Sequence, residues 1–326
     1  MARQVEEIQA RPQAVELLKF APAREAMGYL HPGYAASLAQ CGTPRELPRS
    51  GGWILERPIP GADARDAMGC YPVFTCRQWE ELPADLVELS ERLVTLVLVT
   101  DPFTPTDKAF LDNCFQVVKP FKRHTIVDLA LPLTESVSKH HRYYARRSRR
   151  TLECEICEEP SRYAREWIGL YDHLIETRGI RGLRAFSPAS FHEQLRVPGM
   201  VLVLGRQGDQ IVGAHLIAVQ GAVAYSHLAA FSKLGYQIKA SYGIYWATLE
   251  YLAARGVGHL DLGAAAGLQD RPMDGLSQFK RGWSKRTRLV YLCGRVFDPP
   301  RYAEICQRRD DSDTEYFPRY RAGEFS

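Results

Sequence analysis

A lysine between two aromatic residues closes the segment Gly-Leu-Ser-Gln-Phe-Lys-Arg-Gly-Trp at residues 275–283. An ammonium such as Lys280, held beside Phe279 and Trp283, can stabilise the oxyanion that forms when an amine attacks an ester or thioester carbonyl. The same pattern also suits a lysine that stretches over apolar surface while the two aromatics fill a core. Asp261 lies inside the apolar run His-Leu-Asp-Leu-Gly, residues 259–263. A carboxylate in such a place needs a partner. It orients an acceptor amine, pairs with Lys280 so that both stay charged, or hydrogen-bonds the loop that follows. In Ala-Tyr-Ser-His-Leu, residues 224–228, strand alternation puts Tyr225 and His227 on one face. His227 has the chemistry of a general base on an amine or hydroxyl, and equally that of a satisfied structural histidine. His215 is a weaker candidate of the same kind.

The most concentrated charge lies in Lys-His-His-Arg-Tyr-Tyr-Ala-Arg-Arg-Ser-Arg-Arg, residues 139–150, with six Lys or Arg and two His in twelve positions. At helical spacing Lys139, Arg142, Arg146 and Arg149 share a stripe, with Arg147 and Arg150 beside it. Such a row suits phosphates, whether of tRNA, a nucleotide-linked precursor or CoA. Tyr143 and Tyr144 can stack on bases or anchor the helix to a core. The whole chain carries a formal charge of +4, so outside this stretch it is net negative. That places the basicity at one site and argues against a dedicated nucleic-acid binder, whose charge covers a whole face.

Other chemistries find no support. Cys154 and Cys157 have metal-ligand spacing but no second pair, and on a strand their thiols point to opposite faces, so no metal is expected. There is no Gly-x-Ser-x-Gly nucleophile motif, Walker A loop or dinucleotide fingerprint. Eight cysteines in 326 residues are too sparse for a disulfide framework. The charged N-terminus lacks the apolar core of a signal peptide, and no run of eighteen apolar residues predicts a membrane span. The expectation is a cytoplasmic protein with reduced thiols.

The elements that must position these residues can be read from periodicity. The first twenty residues suggest a short helix, and short strands are predicted at "GWILERPIP" and "YPVFTC". A helix interrupted by Pro83 follows, then a buried strand at Leu93–Thr100 and a helix opened by Thr104. "RHTIVDLAL" reads as a strand, and the chain is then helical from Ser136 through the basic stretch. "LECEICEE" is a strand, and Tyr163–Arg178 a helix with its apolar stripe at Trp167, Leu170, Tyr171, Leu174 and Ile175. "MVLVLGR", "QIVGAHLIAVQ" and "AVAYSHLAAF" form a three-stranded meander with tight turns. A loop at Ser232–Ala240 leads to a helix from Ser241, its N-cap, to Arg255. A strand at 257–263, the short helix at 275–283 and a strand at 287–297 complete the pattern, and the polar tail is expected to be poorly ordered. The break after the third meander strand is where an open sheet can splay and admit a ligand at a helix N-terminus.

The segment from Ser241 to Trp283 resembles the second half of the Fem-type aminoacyltransferases and their CelD-like acyltransferase relatives, tandem versions of the GNAT fold. The resemblance rests on the aromatic-rich helix ending Ala-Arg-Gly, the His-Leu-Asp-Leu-Gly strand and Gly-Leu-x-x-Phe-Lys-x-Gly-Trp. The "YLHPGY" segment at Tyr29–Tyr34 and the basic helix are similar too. It implies a mixed α/β fold of two GNAT-like halves, each a mostly antiparallel sheet with flanking helices. The divisions expected are an extension at 1–28, a degenerate half at 29–130, an acyltransferase half at 131–306 and a tail at 307–326. It also implies that Lys280 lies near the acyl donor, that Asp261 and His227 position or deprotonate the acceptor, and that Arg142, Arg146 and Arg149 hold phosphates. Tyr225, Lys239, Ser241, Gly243, Phe279 and Trp283 would line the donor and substrate site. Where a GNAT enzyme carries its pyrophosphate signature, Gln/Arg-x-x-Gly-x-Gly/Ala, Gln237 is followed by Ala240 at the fourth position and Tyr242 at the sixth, so the glycines are missing. That departure weakens the case for CoA. The long helical arm of many Fem-type enzymes is not visible either, so acyl-CoA and aminoacyl-tRNA stand level as co-substrates, with no permanently bound cofactor. The acceptor is a small molecule or peptide bearing an amine or hydroxyl, tRNA is a candidate partner, and the oligomeric state is not legible. The rival reading is a catalytically inactive GNAT scaffold that binds RNA or organises a biosynthetic cluster.

Overall fold

Apolar strands from both halves of the chain pair edge to edge into one sheet. The computed structural model describes residues 26–265, 275–308 and 314–324. In the first half β1 (Thr43–Leu47), β2 (Gly52–Pro58) and β3 (Arg65–Gly69) form a meander, followed by β4 (Thr95–Val99) and β5 (Val117–Asp128). In the second, β6 (Glu153–Cys157) precedes the meander β7 (Met200–Gln207), β8 (Gln210–Gln220) and β9 (Val223–Phe231), and then come β10 (His259–Asp261) and β11 (Thr287–Val296). The helices, in chain order, are α1 (Pro32–Ser37), α2 (Leu82–Leu89), α3 (Lys108–Cys114), α4 (Leu133–Ser136), α5 (Lys139–Ser148) and α6 (Ala164–Arg178). They continue with α7 (Pro188–Gln194), α8 (Lys233–Gln237), α9 (Ala240–Ala254), α10 (Gly275–Trp283) and α11 (Pro299–Gln307).

The strand order is β1-β2-β3-β4-β11-β5-β10-β9-β8-β7-β6. Neighbours run antiparallel except β3–β4 and β9–β10, which are parallel. Each half therefore has a meander whose third strand meets the next strand in parallel, and this repeated junction makes the tandem architecture visible. The halves also exchange their last strands. β11 of the second half lies against β4 of the first, and β5 of the first lies against β10 of the second.

One face of the second-half sheet packs under α1, α6 and α7, where Trp167, Tyr171, Phe191 and Tyr34 are almost fully buried. The other packs under α5, α9 and α10, around Ile244, Leu249, Leu252 and Trp283. The hairpin turns use Gly208 and Gly221 at φ 58° and 65°, conformations that cost glycine little.

Several expectations are corrected. "YPVFTC" is not a strand: Phe74 makes a single bridge to Thr100 and drops its ring into the first-half core. The N-cap of α3 is Asp107, whose carboxylate accepts from the Phe110 N–H, and not Thr104. α9 begins one residue early, at Ala240. Its N-cap is Lys239 in the left-handed region, with no side-chain cap, so Ser241 does not fill that role. The Ser232–Ala240 loop contains α8, capped by Ser232. The tail is anchored in part. Arg321 donates to both oxygens of Asp66, and Tyr320, fully buried, bonds Thr95. The helix expected in the first twenty residues lies outside the described residues.

Candidate active site

The sheet opens where the sequence places it, after the parallel junction of β9 and β10. Tyr225 is the last residue of β9 in register, opposite Asp261. Beyond it β9 carries a bulge, because Leu216 pairs with Leu228 but Ile217 pairs with Ser226, so His227 is the extra residue. β9 turns away, while the chain after Asp261 stays with β5 through Leu262 N–H to Thr125 O and Thr125 N–H to Gly263 O. The pairing of β9 with β10 therefore ends at Tyr225 and Asp261, and residues 262–265 follow on the β5 side.

Asp261 is 4% exposed and makes two bonds. Its Oδ1 accepts from the Gly263 N–H at 2.6 Å, and its Oδ2 faces His124 Nδ1 at 2.8 Å. The expected Asp261–Lys280 pair is not what forms. Lys280 reaches the same loop from α10, on the opposite face of the sheet, and donates to the Ala264 carbonyl at 2.6 Å. A side-chain carbon on Gly263 would come within 3.3 Å of Lys280 Nζ, so the glycine, at φ 72°, is what lets the ammonium approach the backbone. Lys122 of β5 donates to the next carbonyl, Ala265 O, at 2.9 Å. Two lysines and an Asp–His pair thus converge on the segment 262–265.

His227 is corrected as a base. Its Nδ1 lies 3.0 Å from the Tyr29 hydroxyl and its Nε2 3.1 Å from Gln194 Oε1. An amide oxygen only accepts, so Nε2 carries the proton and the Tyr29 O–H occupies the remaining lone pair. Burial holds this ring at about 3, far below an ordinary imidazole. His215 is spent in the same way, on Thr248 and Ser226, and stacks on Tyr245 at 4.2 Å. Burial, with the Lys280 charge adding to it, takes His215 to about 3, which places Lys280 in its electrostatic reach. Tyr225 is 2% exposed and donates to Asp101 Oδ2, so it supports the sheet and does not face a ligand. Burial pushes Asp101 up to about 6, against the stabilising bonds from Phe103 N–H and Tyr225.

Trp283 is not available to wall a ligand site around Lys280, while Phe279 is half-buried. Trp283 is fully buried and stacks on Tyr245, and both aromatics surround His141 of α5. His141 Nε2 bonds the Phe279 carbonyl at 2.8 Å, and burial lowers its pKa to about 4. These contacts tie α5 to α10 and fix the root of the Lys280 side chain. Gly243 is likewise structural. It is buried, and a Cβ there would lie 2.7 Å from Ser148 Oγ, so α9 and α5 touch backbone to side chain. Lys239 is exposed and Ser241 half-buried at the start of α9.

α5 buries His141, Ala145 and Ser148 and turns the basic stripe outward. Arg149 pairs with Glu250 at 3.1 Å. Arg142 and Arg146 make no ion pair among the described residues, and Tyr143, 56% exposed, lies between them. No group of three His, Cys, Asp or Glu side chains among the described residues is placed to hold a metal ion. No helix among them is long and apolar enough to cross a membrane.

A mostly antiparallel sheet that splays at a parallel junction in each half is the architecture of the GNAT fold, here in tandem. Residues 136–281 match the family described as acetyltransferase (GNAT) domain. FemX superposes with a TM-score of 0.63 at 13% identity, over 92% of this chain and 100% of that one. The C-terminal domain assigned to a lysylphosphatidylglycerol synthetase of Agrobacterium fabrum gives 0.60 at 15% identity, over 86% and 93%. L-PGS from Bacillus licheniformis gives 0.56 at 13%, over 83% and 93%. At these identities the likeness is one of fold. No curated protein matches the sequence.

His124 is the residue that sequence reasoning missed. It stands in "RHTIVDLAL", 137 positions from Asp261. The available signal was a histidine inside a predicted strand, on a face shared with Lys122, Ile126 and Asp128.

Proposed function

We propose that the protein transfers an aminoacyl group from aminoacyl-tRNA to an amine acceptor by direct attack, with no covalent enzyme intermediate. The observation that carries this reading is the Lys280 ammonium delivered to the Gly263–Ala264 backbone at the splay, where an acyl carbonyl entering between β9 and the 262–265 loop would develop negative charge. Attack forms the C–N bond and moves the carbonyl pair onto oxygen. Collapse then breaks the ester bond, and the leaving oxygen takes up the proton given by the amine. Lys280 stabilises the intermediate charge, and α10 holds it in place through Phe279, Trp283 and His141.

Two features support tRNA over CoA as the donor's carrier. In the segment before α9, the N–H groups of Ile238 and Lys239 are spent on the Leu234 and Tyr236 carbonyls, and that of Tyr242 on Lys239. Ala240 is fully buried, so few N–H groups remain to cradle a pyrophosphate. The cations of α5, in contrast, face outward along a row suited to an extended phosphate backbone. The test is transfer to a panel of amines from charged tRNA and from acyl-CoA. Lys280→Met keeps the side chain's bulk and removes its charge, and is expected to lower turnover by about 100-fold or more. Transfer from acyl-CoA alone would overturn the assignment of the donor, and an unchanged Lys280→Met rate would remove the lysine from the mechanism.

A further inference from the structure

We propose that His124 is the general base that deprotonates the acceptor amine, and that Asp261 is the positioning residue that sets its tautomer; this rests on the acyl transfer proposed above. Four histidines are buried among the described residues: His124, His141, His215 and His227. The ring nitrogens of His141, His215 and His227 are taken up by protein groups. His124 differs. Its Nδ1 is bound to Asp261 Oδ2, and its Nε2 has no partner among the described residues. A carboxylate oxygen accepts, so Nδ1 carries the hydrogen, and in the neutral ring Nε2 keeps its lone pair. The carboxylate is itself fixed, because its other oxygen takes the Gly263 N–H. A carboxylate, an oriented imidazole and an unused basic nitrogen are the parts of a proton acceptor.

The position fits the reaction. Asp261 pairs with Ile126 across β10 and β5, and Thr125 then takes both Leu262 and Gly263, accepting from the Leu262 N–H and donating to the Gly263 carbonyl. His124, the neighbour of Thr125 on β5, therefore lies beside the Gly263–Ala264 stretch, which Lys280 Nζ reaches from the other face. The acid–base group and the cation flank one point of the chain, at the edge of the splay. The ring is not sealed, since about a tenth of its side chain (10%) remains accessible while Asp261 keeps 5%. The charged groups facing it are Asp261 on β10, Lys122 on its own strand, Arg288 directly across on β11 and Asp101 in the loop after β4. Arg288 is turned aside, its guanidinium over the Phe103 ring and bonded to the Pro102 carbonyl.

The step balances without a further reactant. Nε2 accepts a proton from the amine as its lone pair forms the C–N bond. When the tetrahedral intermediate collapses, the leaving oxygen departs with the pair of the broken C–O bond and takes that proton back from the imidazolium.

The experiment compares wild type, His124→Ala, His124→Gln and Asp261→Asn in the transfer assay, with donor binding measured separately. General-base loss costs about 10²–10⁴-fold in turnover, so His124→Ala is expected to fall by at least about 100-fold with donor affinity unchanged. Added imidazole should restore part of the rate, which a merely structural histidine would not allow. In Asp261→Asn the amide NH₂ would face Nδ1, leave the proton on Nε2, and lower turnover comparably while the fold persists. The losses of His124→Gln and Asp261→Asn should not multiply in the double variant. Should His124→Ala fail to fold, His124→Gln and Asp261→Asn carry the same test. A wild-type-like rate in folded His124→Gln overturns the proposal while leaving the acyl-transfer reading intact if Lys280→Met is slow. Absence of transfer by the wild type with every donor overturns both.

Discussion

Gly282 links the basic helix to Lys280 through one contact that allows a sharp prediction. A methyl carbon on this residue would overlap three atoms of the His141 imidazole, which is packed among Tyr242, Phe279 and Trp283. Overpacking of this kind costs about 1–3 kcal/mol. Pushing the ring aside also breaks the His141–Phe279 bond, about 1 kcal/mol more. Gly282→Ala should therefore lower unfolding free energy by about 2–4 kcal/mol in urea denaturation. His141→Ala empties the space the methyl needs. In that background Gly282→Ala should cost nothing, and should stabilise by up to about 1 kcal/mol, because glycine is a poor residue inside a helix. The sign thus reverses between backgrounds, a coupling of about 2 kcal/mol or more. Transfer activity should follow, since displacing α10 moves Lys280 from its loop and a misplacement of about 1 Å can cost 100-fold. An equal cost of Gly282→Ala in both backgrounds would refute the argument.

The pH dependence of stability has a definite sign. His141, His215 and His227 are held by burial at about 4, about 3 and about 3, so the folded chain keeps them neutral where the unfolded chain protonates them, below about 6.5. Stability from this source is full above that value and drains as pH falls from about 6.5 toward 4 for His141 and toward 3 for His215 and His227; His141→Ala should reduce the proton uptake on unfolding at pH 5 by close to one, read from the slope of unfolding free energy against pH. At the other end of the sheet, Asp66 is fully buried between Arg57 and Arg321. Asp66→Ala leaves both guanidinium groups without it, and since Glu324 still pairs with each, the expected loss is at the low end of about 3–5 kcal/mol, with faster proteolysis of residues 314–324. Arg142→Gln with Arg146→Gln should weaken tRNA binding at all sequences and flatten its salt dependence by close to two units of slope, measured by titration at several salt concentrations.

Much of the second half is legible because its signals are local. The meander needs only three apolar runs and two glycine turns, and α9 needs an aromatic-rich stripe that stops at Gly256. The site is less so, because its pairs form across the strand exchange. Nothing in the order of residues says that His124 of one half will face Asp261 of the other, since β5 must first cross into the second half's sheet. The anchored tail misleads for a related reason. Its charges read as solvated, yet Arg321 meets a buried carboxylate 255 residues away. "YPVFTC" has strand composition but spends its apolar side chains on a core filled from a coil. Tyr225 and His227 were correctly placed on one face, but that face packs against Tyr29 and α7, and alternation alone does not tell a lined cleft from a covered core.

The most direct measurement is single-turnover transfer of the aminoacyl group from charged tRNA to an amine acceptor, in wild type and in Lys280→Met with equal donor binding. The account predicts transfer by the wild type and a loss of about 100-fold or more in the variant. Equal rates in the two, or tight salt-sensitive tRNA binding with no transfer by either, would contradict it and leave a GNAT-fold RNA-binding scaffold as the better description.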